Sequence, residues 1–126
     1  MSKRIGILGG ISHESTIVYY DLLLRKYFAR SKNYYYPEIV IFSLDFQKFT
    51  DYEDNGDLVN YTRYILEGVH ALEAAGVDFI LMAANSPHAV FDVVALQAKV
   101  PMLSIVAATA QAALQAAVHK LLPPGH

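Results

Sequence analysis

The sequence predicts a doubly wound α/β domain, with a four-stranded parallel sheet and helices on both faces. Three observations point there. Short apolar, β-branched runs alternate with longer stretches whose apolar positions recur every three or four residues. The short runs are nearly continuous in apolar character, as strands covered on both sides should be. Right-handed crossovers between successive parallel strands then distribute the helices over both faces. At 126 residues the chain has room for one such domain, within the usual span of roughly 100–150. The expected division is a domain over 1–122 and a short tail over 123–126.

Residues 4–8 (Arg-Ile-Gly-Ile-Leu) read as the first strand, ended by Gly9-Gly10. A helix is expected from Glu14 to Arg30, with Ile17, Tyr20, Leu24 and Tyr27 on its core stripe. Ser12 suits its N-cap, and Glu14 complements the positive end of the helix. Tyr34-Tyr35-Tyr36-Pro37 is a connection, since proline biases the residue before it away from helix. Residues 38–43 (Glu-Ile-Val-Ile-Phe-Ser) form the second strand, and a polar loop is expected from there to Gly56.

From Asp57 to Ala75 the apolar positions Leu58, Tyr61, Ile65, Val69 and Leu72 step by three and four, and Gly76 stands where a left-handed cap belongs. Residues 77–83 are a third strand, Pro87 to Lys99 a third helix, and Pro101 to Ile105 a fourth strand. The Ala-rich segment 107–122 is a fourth helix, broken at Pro123-Pro124-Gly125.

Composition narrows the function. A net charge of −2 gives no basic footprint for nucleic acid. No apolar run reaches the ~18 residues of a membrane span, and the N-terminus lacks the h-region of a signal peptide, so a cytoplasmic protein is expected. Charged residues make up 17%, below the usual ~25%; the surplus of apolar residues favours a homodimer or larger homo-oligomer. The chain holds no cysteine, which excludes disulfides, thiolate-bound zinc and thiol catalysis from its own residues.

In a doubly wound sheet, ligands bind beyond the carboxyl ends of the strands. Three loops should leave that edge: Gly9-Gly10-Ile11-Ser12-His13-Glu14, Ser43-Leu44-Asp45 and Ala84-Asn85-Ser86-Pro87-His88. Glycines at 9 and 10 let backbone N–H groups approach an anion at a helix start, and Asn85 and Ser86 can do the same at the next. The bland alternative carries equal weight, namely a tight turn and a helix cap. The glycines do not space as G-x-G-x-x-G, and His13-Glu14 lacks the second histidine of H-E-x-x-H, so neither a dinucleotide nor a catalytic zinc is expected. His88 borders the same edge; orienting its loop is the plainer role, proton transfer the sharper one. The tyrosine clusters at 19–20 and 34–36 read as packing or interface.

Three segments together resemble the aspartate/glutamate racemase superfamily. They are Ile5-Gly6-Ile7-Leu8-Gly9-Gly10-Ile11-Ser12-His13-Glu14-Ser15-Thr16 with Tyr19-Tyr20, then Ser43-Leu44-Asp45-Phe46, and then Leu72 to Ile80 leading into Ala84-Asn85-Ser86-Pro87-His88. The resemblance runs to about Leu122. It implies one flavodoxin-like half of a two-domain enzyme that racemises an amino acid without pyridoxal phosphate, metal or any other cofactor. Two thiols would work on opposite faces of the α-carbon. By the same resemblance, Ala84 occupies the place of the first thiol, and the second belongs to a second domain, which a separate chain would have to supply. Substrate contacts would fall to Gly9, Gly10, Ile11, Ser12, Asn85, Ser86 and His88. The expected function is therefore a racemase lineage in truncated form, weakly active or inactive. The alternatives are a carboxylate- or amino-acid-binding domain without catalysis, and a homo-oligomeric assembly subunit.

Overall fold

A computed structural model describes residues 3–10, 13–83, 88–105 and 110–122, with the side chains of 83, 88–90, 110 and 111 outside the description. The elements follow the order β1 (Arg4–Gly9), α1 (His13–Ser31), β2 (Glu38–Ser43), α2 (Phe46–Asp54), α3 (Leu58–Ala74), β3 (Phe79–Ala83), α4 (His88–Gln97), β4 (Met102–Ile105) and α5 (Ala110–Leu121). The four strands form one parallel sheet in the order β2-β1-β3-β4. From β1 the chain steps to one side for β2 and then crosses back past β1 for β3. The winding therefore reverses between β1 and β3, as the sequence predicts.

Alternation along the strands divides the core in two. Ile5 and Ile7 of β1, with Phe79 and Leu81 of β3, pack against Tyr19 and Leu23 of α1 and Leu114 and Val118 of α5. Leu8, Ile80 and Met82 point the other way, against Tyr61, Ile65, Val69 and Leu72 of α3 and Val94 of α4. Burial on both faces explains why these strands read as continuous apolar runs. Arg4 ties the opening of β1 to its surroundings. Its guanidinium donates to Glu38 Oε1 at 2.9 and 3.0 Å and to the Ala75 carbonyl at 2.8 Å, while its backbone N–H donates to Asp78 Oδ2 at 2.7 Å.

Helix α3 follows its sequence signals closely. Asp57 caps it by accepting the Asn60 N–H at 3.1 Å, and Gly76 follows its end at φ 81°. The Asn60 side-chain amide and then its backbone N–H hold the Asp57 carboxyl below its ordinary pKa. A carboxyl with a lowered folded pKa stabilises the helix above its unfolded value, and that contribution disappears as pH falls through the folded one.

Three expectations are corrected. The supposed polar loop before Gly56 contains α2, a nine-residue helix. Its apolar content is confined to Phe46, Phe49 and Tyr52, spaced by three, so its overall polarity hides it. Phe49 packs on Tyr61 at 4.7 Å between ring centroids, and Tyr52 meets Tyr64 edge-on at 6.2 Å. The core stripe of α1 is Thr16, Tyr19 and Leu23, whereas Ile17 and Tyr20 remain 63% and 41% exposed. Leu58 begins α3 but points outward, leaving Tyr61 to open the buried stripe. The start of the Ala-rich segment at 107–109 and the tail at 123–126 lie outside the described residues.

Candidate functional site

All four strands run the same way, so their carboxyl ends share one edge. Gly9 is paired with Ser43, Leu8 with Met82 and Ala83 with Ile105, which brings the ends of β1, β2, β3 and β4 to one level. The loops after β1 and β3 thus leave on either side of the point where the winding reverses, the place where such sheets bind ligands. Helix α4 starts there with His88. Of the expected site residues, Gly9 and Gly10 are placed directly and His88 by its backbone. Ile11, Ser12, Ala84, Asn85 and Ser86 lie outside the described residues.

The two glycines form a tight junction between loops. Gly10 has φ 90°, and a Cβ there would overlap the Leu44 carbonyl oxygen and lie 2.5 Å from the Leu44 nitrogen. A Cβ on Gly9 would lie 2.5 Å from Thr16 Oγ1. Two hydrogen bonds fasten the junction: Leu44 N–H donates to the Gly9 carbonyl at 2.8 Å, and Gly10 N–H donates to Thr16 Oγ1 at 3.2 Å. The Gly10 N–H is therefore spent inside the protein. Any anion held by this loop must use N–H groups further along, at the start of α1, where the first helical turn leaves donors without intrahelical acceptors.

The neighbouring loop is fixed by α2 and α3. Asp45 caps α2, its Oδ1 accepting the Lys48 N–H at 3.2 Å, and its own N–H donates to the Tyr64 hydroxyl at 2.7 Å. The Lys48 ammonium lies 4.5 Å from the centre of the Tyr64 ring. Sequence reading did not single out Lys48 or Tyr64. The signal was the Asp-x-x-Lys start of a helix that had been read as loop. Tyr64→Phe is expected to strand the partly buried Asp45 N–H and cost about 1–2 kcal/mol. Urea unfolding checks this, with the midpoint falling and the slope unchanged.

One strand further on, the Ser104 hydroxyl of β4 is buried without a hydrogen-bond partner among the described residues. No cluster of three or more His, Asp or Glu able to hold a metal occurs among them either. An open groove of about 650 Å³ runs along α5 from Ala112 past Gln115 to His119 and Lys120, and is bordered by Arg30 in the last turn of α1. Arg30 and Lys120, in the last turns of α1 and α5, complement the negative ends of those helices.

Known proteins resemble this chain in sequence and fold. The model of the Asp/Glu/hydantoin racemase family matches residues 8–122. The broad specificity amino-acid racemase RacX of Bacillus subtilis (strain 168) is 32% identical over 108 residues, covering 83% of this chain and 47% of its own. Among solved structures, a Yersinia pestis protein provisionally assigned as an Asp/Glu racemase superposes with a TM-score of 0.77 at 29% identity, covering 91% of this chain and 50% of that one. An aspartate racemase homologue from Pyrococcus horikoshii OT3 superposes with a TM-score of 0.66 at 39% identity, covering 83% and 45%. The chain thus spans about half the length of these relatives. No helix among the described residues is long and apolar enough to cross a membrane. With nearly its whole length matched by the family model and its sheet superposing on racemase structures, the chain belongs to the Asp/Glu/hydantoin racemase family.

Proposed function

We propose that this chain is a racemase-lineage half-site that holds an acidic or related amino acid by its carboxylate and does not racemise it unaided. The observation that carries the reading is the convergence, at one sheet edge, of the Gly9-Gly10 loop, the Asp45 loop and the start of α4, in a chain whose family match covers 8–122. Relatives named as aspartate and broad-specificity amino-acid racemases support an amino acid as the ligand. The α-carboxylate would lie against N–H groups at the start of α1, beyond Gly10 and towards Ile11 and Ser12, with Asn85 and Ser86 on the other side of the crevice. Holding a carboxylate there needs only the helix starts and their donors. Moving a proton needs a titratable group beside the α-carbon, and alanine at 84 offers none.

Isothermal titration of the chain with aspartate and glutamate tests the binding half of this reading. With Asn85 as a direct partner of the carboxylate, as the family resemblance implies, Asn85→Ala is expected to weaken binding by about 1–3 kcal/mol. Unchanged affinity in that variant would remove Asn85 from the site. A domain without a ligand, acting only in assembly, would give no heat with either amino acid.

A further inference from the structure

Tyrosines aside, Thr16 is the one buried polar side chain among the described residues, at 7% exposure. It stands in the first turn of α1, and its branched Cβ leaves it few rotamers there. The side chain lies flat on Gly9. The space a Cβ on Gly9 would take is filled by Thr16 Oγ1, Cγ2 and Cβ, at 2.5, 2.6 and 3.1 Å. From that seat Oγ1 accepts the Gly10 N–H at 3.2 Å, in a bond shut off from water. The other end of the same peptide unit is taken as well, since the Gly9 carbonyl accepts the Leu44 N–H at 2.8 Å. One peptide plane is thereby clamped from both sides, by the first turn of α1 and by the loop after β2.

This plane is the last one before the donors that a carboxylate would meet. Only the two soft dihedrals of Gly10 separate it from the Ile11 N–H. Glycine restrains its own dihedrals less than any other residue, so the direction of the next N–H depends on how firmly the preceding plane is fixed. We propose that Thr16 is a positioning residue for the ligand, its hydroxyl clamping the 9–10 peptide so that the donors beyond it are set before an amino acid arrives. The inference rests on the half-site reading above. It gives Thr16 no contact with the ligand, because Oγ1 is occupied by Gly10 beneath the loop. A loop ordered in advance leaves less freedom to be lost on binding, which strengthens the complex.

Isothermal titration with aspartate and glutamate tests this on three variants. Thr16→Val keeps the shape and removes the acceptor, and should weaken binding about 10-fold or more. Thr16→Ser keeps the oxygen and should recover most of that affinity. Val118→Ala truncates a fully buried residue of α5 in the same core cluster. It should lower the unfolding midpoint and leave the affinity where it was. If Val118→Ala weakens binding as far as Thr16→Val does, affinity merely follows stability, and the proposal is overturned. Thr16→Val that binds like the unmodified chain overturns it too. Should the valine variant fail to fold, hydrogen exchange of the unmodified chain decides the matter. Its Gly10 amide should be protected about 100-fold or more without ligand, and exchange at the rate of an unfolded chain overturns the clamp. An unmodified chain that binds neither amino acid overturns the half-site reading and this one together, whereas the other failures overturn this one alone.

Discussion

Incubated with L-aspartate or L-glutamate in deuterated water, the purified chain is expected to leave the α-hydrogen in place, with no exchange above a buffer control. Racemisation by proton transfer needs one acid–base group on each face of the α-carbon, within direct reach of it. Each positioned base that is lost typically costs about two to four orders of magnitude in rate. This chain has no thiol anywhere, and alanine stands at 84 where the family resemblance places one. His88 opens α4 at the carboxyl edge of the sheet, and a single histidine could serve only one face. Ala84→Cys should therefore permit, at best, slow exchange from a single side, without interconversion of enantiomers. Proton NMR of the α-position and chiral chromatography read the two outcomes separately. Deuterium incorporation by the unmodified chain that survives repurification would mean that a thiol-free pair of bases exists and that the assignment is wrong.

Gly10→Ala is expected to be the most damaging single methyl group added to this fold. The backbone at 10 lies in a region that L side chains rarely adopt, and the new carbon would enter space held by the Leu44 peptide. A peptide unit cannot rotate aside as a flexible side chain can. Relief requires moving the start of α2, which Asp45 and Tyr64 hold in place. The cost should reach about 3 kcal/mol or more, visible as a melting point lower by roughly 10 °C or more for a domain of this size. Gly56→Ala is the matched control. Its φ is also positive, at 65°, but nothing lies within 4 Å of the added carbon, so only the backbone strain remains. Equal losses in the two variants would show that the contact with Leu44 contributes nothing.

The strands, their parallel direction and the shared edge were legible because both-sided burial writes itself as continuous apolar runs such as Phe79 to Met82. The cap and stop signals of α3, Asp57 and Gly76, were equally plain. The register of α1 was not. That helix has apolar residues on two adjacent stripes, and the choice between them falls to Thr16, a polar residue seated against Gly9 that no hydrophobic pattern nominates. Helix α2 escaped notice because nine residues with three aromatics, two of them packed on α3, look like a polar loop until α3 is set beside them. At the candidate site, the sequence reads the two glycines equally as an anion cradle or as a tight turn. Their tighter use, as a junction with Leu44 and Thr16, depends on a contact between loops some 34 residues apart, a distance that local pattern does not span.

The bareness of β2 has a consequence for the life of the chain outside any complex. Among the described residues, β2 (Glu-Ile-Val-Ile-Phe-Ser) pairs on one side only, with β1, and within the strand no proline, lysine or bulge discourages a foreign strand. Segments of this length and composition are the templates on which fibrous stacking starts. An isolated copy with that edge uncovered is open to strand addition, the more so at high concentration. Such addition would start at the rim of the sheet, along β2, and not at the carboxyl edge where the candidate site lies.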